Sequence, residues 1–283
     1  MKQYLGILGL LMVTVIWGGG FPASDMALES LSPFQILAVR FFTATIFMAL
    51  IALKELKTIT KEEIKCGIFL GFSLFAGFAL QIVGLQYTTV SNNAFLTATN
   101  VVFVPIIAFA IHRKKIEIRN LVGVIMAIIG AGILSLSTNF TIGVGDLLTL
   151  FCAVAFAFQI FLTGEYVGKI RPAVLNFLQM ITAAVFSLAG CLFTGTTVFA
   201  PTHKSLAAVL YLGIASTTIT YLLQTVSQKY VEETKAAIIL SMEAVFGTIF
   251  SIILLHEPVT LKMIIGSSMI MGAVLISEIK IKK

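Results

Sequence analysis

Ten apolar segments follow one another along the whole chain, and they constrain the fold more than any single residue does. They cover residues 4–25, 33–53, 66–85, 91–111, 119–137, 146–164, 173–193, 205–225, 235–255 and 261–279. Each is close to the ~20 residues that a helix needs to cross the hydrocarbon core of a bilayer. Charged residues make up only 11% of the 283-residue chain, against roughly 25% in soluble domains. The sequence therefore predicts an all-α integral membrane protein with ten transmembrane helices.

Lysine and arginine residues lie almost entirely on one side of the predicted membrane. One set of alternate gaps holds sixteen of them: Lys2, Lys54, Lys57, Lys61, Lys65, Arg113, Lys114, Lys115, Arg119, Lys169, Arg171, Lys229, Lys235, Lys280, Lys282 and Lys283. The opposite set holds only Lys204 and Lys262. The positive-inside rule then places both termini in the cytoplasm. This bias also accounts for the net charge of +6, so we expect a multi-pass cell-membrane protein and no nucleic-acid partner.

The last five segments resemble a second copy of the first five. Trp17 lies sixteen residues before Pro33, as Phe156 does before Pro172. A constant offset of 143 then pairs Leu80-Gln81 with Leu223-Gln224, Tyr87 with Tyr230, Ala94 with Ala237, Val102-Phe103 with Val245-Phe246, and Gly123 with Gly266. Because five is an odd number, the second copy must start on the opposite side of the membrane. We therefore predict two inverted repeats, residues 1–138 and 139–283, an arrangement typical of secondary transporters.

Several short patterns lie along the chain in a characteristic order. They are Trp17-Gly18-Gly19-Gly20, Ser32-Pro33 with 37–41, 93–97 through Val104-Pro105, 242–246, 255–260 and 266–275. Together they resemble the EamA-type members of the drug/metabolite transporter superfamily over nearly the whole length. The resemblance implies an exporter or exchanger of amino acids, nucleotide sugars or other small metabolites. The family often has proline after the glutamate of the ninth segment, whereas this chain has Ala244, which removes an expected kink.

Glu243 is the sharpest candidate for a functional residue. It lies eight residues past Lys235 and fourteen before Glu257, well inside the membrane at ~1.5 Å per residue. An ionisable group there costs a few kcal/mol unless it is paired or hydrated. In a central cavity it would bind a cationic group or a proton, since a carboxyl removed from water favours its neutral form. The alternative is a structural role, with a bond to a neighbouring helix.

Arg40 lies seven residues past Pro33, roughly 10 Å along the second segment. Its planar guanidinium would bind a substrate carboxylate or phosphate. The alternative is a structural role, in which it pairs with a carbonyl, caps a helix end or extends to the membrane surface. The repeat places Gln179 opposite it, so the second half does not keep the charge.

The fourth segment carries a polar face made of Asn93, Thr97 and Asn100 at helical spacing. Such a face on a hydrophobic helix points into the protein or into a cavity. The offset of 143 maps Asn100 onto Glu243. Equivalent positions in inverted repeats face each other where the binding site usually lies, which makes this face a candidate substrate site. Hydrogen bonding between helices is the alternative.

The first segment contains Trp17 followed by three glycines, Phe21 and Pro22. Such a run allows a kink or a close approach of another helix, and an interrupted span points to a binding site. Trp17 would stack on an apolar or cationic substrate, or it would only pack. Tyr221, a polar aromatic residue in the eighth segment, completes the candidate substrate-binding residues.

Motifs for enzymatic chemistry fail on inspection. His256-Glu257 lacks a second histidine one turn on, and Gly18-x-Gly20 lies inside a membrane segment rather than after a strand. We therefore expect no enzymatic activity, no cofactor and no metal. Three scattered cysteines are interpreted as small buried hydrophobic residues: Cys66, Cys152 and Cys191.

Three functions remain open at this point. The first is a secondary transporter of amino-acid-like or other small polar metabolites, because one acid and one base would suit a zwitterion. The second is an exporter of hydrophobic cations or drugs, and the third is a lipid-carrier flippase component or a membrane scaffold. The expected partners are a small-molecule substrate and the lipid bilayer, with the protein a monomer or a homodimer.

Overall fold

The computed structural model describes residues 2–113, 118–135 and 143–278, and over these ranges the chain forms helices and no strand. The first half contains α1 (Lys2–Leu28), α2 (Pro33–Ala52), α3 (Lys61–Leu85), α4 (Val90–Thr97), α5 (Asn100–His112) and α6 (Ile118–Ser135). The second half contains α7 (Val144–Tyr166), α8 (Pro172–Phe193), α9 (His203–Gly213), α10 (Thr220–Gln228), α11 (Glu233–Leu240), α12 (Glu243–Leu255) and α13 (Leu261–Glu278). A 3₁₀-helix, Glu55–Thr58, precedes α3, and a π-helix, Ile214–Ile219, joins α9 to α10.

Eight helical stretches in the described ranges are long and apolar enough to cross a membrane. They are α1, α2, α3, α4 with α5, α7, α8, α9 with α10, and α11 with α12. The helices α6 and α13, whose apolar parts are shorter, lie at the predicted fifth and tenth segments. The predicted boundary between the repeats, at residues 138 and 139, lies outside the described ranges. So do five of the basic residues counted above: Lys114, Lys115, Lys280, Lys282 and Lys283.

The sequence repeat is also a repeat of the backbone. Adding 143 to the bounds of α4, α5 and α6 gives the bounds of α11, α12 and α13. The C-cap residues Arg113 and His256, also 143 apart, both take left-handed conformations, with φ of 56° and 55°. The predicted register therefore describes the fold from the fourth segment onward.

The two halves interlock around a pseudo-twofold axis. Equivalent helices contact each other directly in two places, α2 with α8 and α6 with α13, as they must where an axis passes between them. Helix α1 packs against α9, α10 and α12, and its counterpart α7 packs against the corresponding α3 and α5. The centre of the bundle is therefore built from both halves.

Glycines in α3 allow this close packing. A Cβ at Gly67 would lie 2.2 Å from Leu178 Cβ of α8, and one at Gly71 would lie 2.6 Å from the Gln179 carbonyl oxygen. Small residues that let helix backbones approach are a common device of membrane proteins. This pair of glycines therefore packs inside the monomer. The three cysteines are likewise buried and not joined by disulfides.

The contacts described next join connections that alternating spans place at the same end of the bundle. At the end rich in basic residues, Arg171 donates from Nε and Nη2 to the two carboxylate oxygens of Glu63, both at 2.8 Å. This carboxylate raises the pKa of Arg171 above its usual range. At the opposite end Lys204 pairs with Glu29 at 2.5 Å, and Ser91 donates to Glu257 at 2.8 Å.

Candidate substrate-binding site

Two membrane stretches are broken at equivalent points near the middle. The turns tighten where Thr99 N–H donates to the Leu96 carbonyl and Met242 N–H to the Ile239 carbonyl, each three residues back and each at 3.1 Å. The second break forms although residue 244 is alanine rather than proline, so the expected loss of a kink there is wrong. A tight turn needs no proline when neighbouring helices hold the two halves. Asn100 and Glu243 become the first residues of α5 and α12.

A buried cavity lies between the halves where these breaks meet. Its free space is about 30 Å³, room for about two water molecules, so the helices must separate to admit a larger ligand. Five of the predicted substrate-binding residues line it: Trp17, Arg40, Asn100, Tyr221 and Glu243. The remaining wall combines small, aromatic and amide side chains: Gly20, Phe21, Ser24, Phe78, Gln81, Phe156, Gln159, Ile160 and Ser216.

The Arg40 side chain crosses from α2 to the π-helix of the second half. It is 2% exposed. Its Nε donates to Thr217 Oγ1 at 2.6 Å, and its Nη2 donates to the carbonyl and hydroxyl oxygens of Ser216, both at 3.3 Å. The guanidinium carbon lies 3.7 Å from the centre of the Phe78 ring, a cation–π contact. These bonds use Nε and Nη2, and Nη1 has no hydrogen-bond partner among the described residues.

Trp17 reaches the same helical turn from α1. Its indole Nε1 donates to the Ser216 carbonyl at 3.0 Å and to Thr220 Oγ1 at 2.8 Å. Its ring lies 5.1 Å from that of Tyr221, centre to centre. The glycines after Trp17 do not interrupt α1, which is helical from Lys2 to Leu28. They permit close approach instead, since a Cβ at Gly18 would lie 2.5 Å from Phe246 Cβ.

Glu243 and Asn100 bring unpaired polar groups to the cavity. Glu243 is 6% exposed, and no residue in the described ranges forms a hydrogen bond or ion pair with its side chain. Asn100 is 3% exposed, and its amide oxygen has no hydrogen-bond partner there either. Buried polar groups are nearly always hydrogen-bonded. The cavity is therefore chemically incomplete without a ligand, a proton or water.

Comparison with known proteins agrees with this architecture. The EamA-like transporter family matches the chain twice, over residues 4–136 and 143–278. The protein belongs to the EamA-like transporter family. An "uncharacterized transporter" of Archaeoglobus fulgidus is 35% identical over 280 residues, covering 99% of this chain and 88% of its own. The "uncharacterized transporter YoaV" of Bacillus subtilis (strain 168) is 22% identical and covers 93% of each chain.

A solved crystal structure shares the fold, with a TM-score of 0.79 and 14% identity over 96% of both chains. This EamA-like protein is therefore an integral membrane protein of a transporter family, which is what the resemblance of its sequence implied. Within the described ranges no group of three or more His, Cys, Asp or Glu side chains is arranged to hold a metal ion.

Two predicted site residues of this EamA-like transporter lie behind the cavity wall. Asn93 is fully buried, and its amide donates to Thr149 Oγ1 at 2.9 Å and to the Gln81 carbonyl at 3.1 Å. Thr97 Oγ1 accepts from Gln81 Nε2 at 3.1 Å. The break after α4 separates both residues from Asn100, so they position Gln81, which does reach the cavity.

Sequence reasoning did not assign several wall residues of the EamA-like site. Phe78 and Phe156, whose rings lie 4.9 Å apart, could not be distinguished from the other 21 phenylalanines of the chain. Ser216 and Thr217 sit in an apolar segment and offer no charge. The only sequence trace of Ser216 and Thr217 lies in the repeat, because the residue offset that relates the two halves changes within the helical stretch that carries them.

Proposed function

We propose that this EamA-like protein is a secondary transporter that exports or exchanges amino-acid-like or other small polar metabolites by alternating access. In this proposal ten helices span the cell membrane and both termini lie in the cytoplasm. The observation that best supports this proposal is that Arg40 and Glu243 line one buried cavity and make no ion pair with each other in the described ranges.

The wall of the cavity complements a zwitterion. Arg40 offers Nη1 to a carboxylate, as guanidinium groups do well. Glu243 and the free amide oxygen of Asn100 accept from an ammonium group. Without a ligand, each of these polar atoms must bind one of the few waters that the cavity can hold or stay unpaired, which costs roughly 1–3 kcal/mol. A ligand with one acidic and one basic end supplies the missing partners for both ends at once.

Glu243 is also our candidate for proton coupling. A carboxyl in a dry site can hold either a proton or the ammonium of a substrate, and the two then compete for one position. Such competition is sufficient for antiport, because the site binds the proton or the substrate according to which is more concentrated on the side of the membrane to which it is open. No nucleotide-binding motif occurs in the sequence, so energy would come from ion or metabolite gradients.

Alternating access has matching structural elements at the two ends. At the basic end, Arg171 between α7 and α8 binds Glu63 at the start of α3. At the opposite end, Gln35 at the start of α2 donates to the carbonyls of Thr196 and Val198, at 3.1 and 2.7 Å. We call each of these two sets of hydrogen bonds a latch. Each latch joins one half of the protein to the other at one end of the bundle, so that end can open only when its latch breaks.

Export of hydrophobic cations is the second candidate, because five aromatic side chains line the cavity: Trp17, Phe21, Phe78, Phe156 and Tyr221. The Phe78 ring already carries the Arg40 guanidinium, and this positive charge repels a cationic ligand. The zwitterion is therefore favoured. A lateral opening lined by Arg40 would favour the lipid-carrier alternative, whereas Arg40 is 2% exposed and lines the central cavity.

A competition assay separates the candidates. The purified protein is reconstituted in liposomes loaded with unlabelled amino acids, and uptake of each of the twenty labelled L-amino acids is measured. Tetraphenylphosphonium and ethidium serve as the competing cation panel. We expect exchange of at least one amino acid, with no competition by the cations. Inhibition by the cations, or cation uptake without amino-acid exchange, would favour the second candidate instead.

A further inference from the structure

The second half contains one residue more than the first within a single membrane helix. Thr60 caps the start of α3 and Thr202 caps the start of α9, an offset of 142. The same stretches end at Leu85 and Gln228, an offset of 143. The first is α-helical throughout, whereas the second contains the π-helix Ile214–Ile219. A π turn is how a helix accommodates one inserted residue, so the π-helix is the site of the insertion.

The π-helix presents a backbone carbonyl to side chains of the first half. The Ser216 carbonyl accepts from three side chains: Trp17 Nε1 at 3.0 Å, Arg40 Nη2 at 3.3 Å and Thr220 Oγ1 at 2.8 Å. Ser216 can come this close because α1 has Gly20 opposite it, where a Cβ would lie 2.9 Å from Ser216 Oγ. Two different helices of the first half therefore converge on one carbonyl of the second half.

Three departures from the repeat meet at this point. Trp17 corresponds to Phe156 and Arg40 corresponds to Gln179, and neither replacement carries a charge or an indole N–H. The helix that bears the extra residue is the one that both Trp17 and Arg40 contact. A random insertion has no reason to fall where the other two differences lie, so the three form one functional unit.

We propose that the inserted residue is a positioning device: it presents the Ser216 carbonyl and the Thr217 hydroxyl to Arg40 and thereby aims Nη1 at the carboxylate of the substrate. Thr217 is the specificity-determining positioning residue of this device, because it accepts the shortest of the Arg40 bonds, at 2.6 Å. That the substrate carries a carboxylate rests on the proposed function, whereas the hydrogen bonds that hold Arg40 in place do not depend on it.

Thr218 provides a matched control for Thr217. Both hydroxyls donate to a carbonyl five residues back, Thr217 to Leu212 at 2.7 Å and Thr218 to Gly213 at 2.8 Å. Only Thr217 also accepts a bond from Arg40. Replacing either residue by valine therefore removes the same local bond, and only Thr217→Val disturbs Arg40.

The transport arm measures KM and maximal rate for the amino acid of the panel that the wild-type protein exchanges best. We expect Thr217→Val to raise KM roughly tenfold, the loss of about one hydrogen bond to a charged group, with little change in maximal rate. Thr217→Ser should restore KM, and Thr218→Val should leave it at the wild-type value. Equal KM for the two valine variants overturns the proposal.

A second arm needs no substrate and so separates this proposal from the proposed function. Melting temperatures of both valine variants are measured with Arg40 present and in the Arg40→Gln background. We expect Thr217→Val to cost more than Thr218→Val only when Arg40 is present. If its cost is the same in both backgrounds, Arg40 is not seated on Thr217, whatever the transport assays show.

The inserted residue itself is tested by deleting Ile219, whose side chain is 51% exposed on the outside of the bundle. Trp17 is the only tryptophan of the chain, so its fluorescence reports this helical turn without background. We expect a shifted emission maximum in the deletion variant, because the deletion displaces both acceptors of the indole N–H, the Ser216 carbonyl and the Thr220 hydroxyl. A folded deletion variant with unchanged emission overturns the proposal, and if the variant does not fold the valine variants decide.

Discussion

Replacing Arg40 by glutamine distinguishes a substrate-binding arginine from a structural one. The second half of the protein already has glutamine at the equivalent position, Gln179, so the variant makes the two halves more alike. A structural arginine would be costly to remove, since breaking a buried charged network typically costs 3–5 kcal/mol. The contacts of Arg40 predict a much smaller change in stability.

Bonds that remain after the substitution set the magnitude. The Ser216 carbonyl keeps its donors from Trp17 and Thr220, and the Thr217 hydroxyl keeps its own donation to Leu212. The Ser216 hydroxyl loses its bond from Arg40, but Ser216 lines the cavity, where water can take that place. The lost hydrogen bonds of Arg40 and its lost contact with the Phe78 ring, the latter worth ~0.5–2 kcal/mol, are partly offset because the desolvation penalty of the guanidinium disappears. We therefore expect the free energy of unfolding to change by no more than about 1–2 kcal/mol.

Substrate affinity should fall even though the protein stays folded. A charge-assisted hydrogen bond from Nη1 to a carboxylate contributes about 1.5–3 kcal/mol, which corresponds to a roughly 10- to 150-fold rise in KM. The assay is exchange of labelled amino acids in liposomes, alongside the corresponding amines, which lack the carboxylate. Arg40→Lys is the control that keeps the charge and loses the planar guanidinium. Its KM should lie between those of the wild-type protein and Arg40→Gln.

Two outcomes would contradict a substrate contact by Arg40. If Arg40→Gln melts many degrees below the wild-type protein while its folded fraction exchanges amino acids with unchanged KM, Arg40 supports the fold only. A loss of affinity that is equal for amino acids and for the matching amines would also contradict a carboxylate contact.

Three further predictions concern coupling, packing and the latch at the basic end. Glu243→Gln should flatten the pH dependence of exchange, because an amide cannot take up the proton; full retention of that dependence in liposomes excludes coupling at this residue. Gly71→Ala should lower the melting temperature by overpacking at a cost of about 1–3 kcal/mol. Gly132→Ala, whose added Cβ has no atom of the described residues within 4 Å, should be neutral or slightly stabilising; a changed oligomeric state of Gly71→Ala in gel filtration would instead indicate a dimer contact. Arg171→Gln should speed amide hydrogen exchange in residues 55–58, because the carbonyls of Glu55 and Thr58 accept its bonds at 3.3 and 2.9 Å; unchanged exchange there means that the latch does not order this segment.

Apolar length and repeat register were the parts of this fold that the sequence could predict. Each predicted segment falls on a helix or on a pair of helices, because a bilayer of fixed thickness demands a run of fixed length. The offset of 143 relates α4, α5 and α6 to their counterparts residue for residue. The same offset pairs Asn100 with Glu243, and both line the cavity.

Features that depend on packing between helices escaped prediction. The breaks before Asn100 and Glu243 contain no proline or glycine, since Ala98-Thr99 and Ser241-Met242 are ordinary residues. The π-helix has no compositional signature in an apolar segment. Its only trace is a change of one residue in the spacing between two threonine caps and the ends of their helices, which becomes readable once the caps are known.

Chemical asymmetry is what an inverted repeat needs in order to hold an asymmetric substrate. A site with strict twofold symmetry would offer both ends of a zwitterion the same partners, so the substrate would bind in two orientations with equal affinity. Here the repeat pairs Arg40 with Gln179 and Asn100 with Glu243. The basic group therefore comes from the first half and the acidic group from the second. Because Arg40 is bonded to the π-helix, its charge is fixed to both halves at once. In the proposed transport cycle, the scaffold would therefore stay symmetric for alternating access while the site binds the ligand in one orientation.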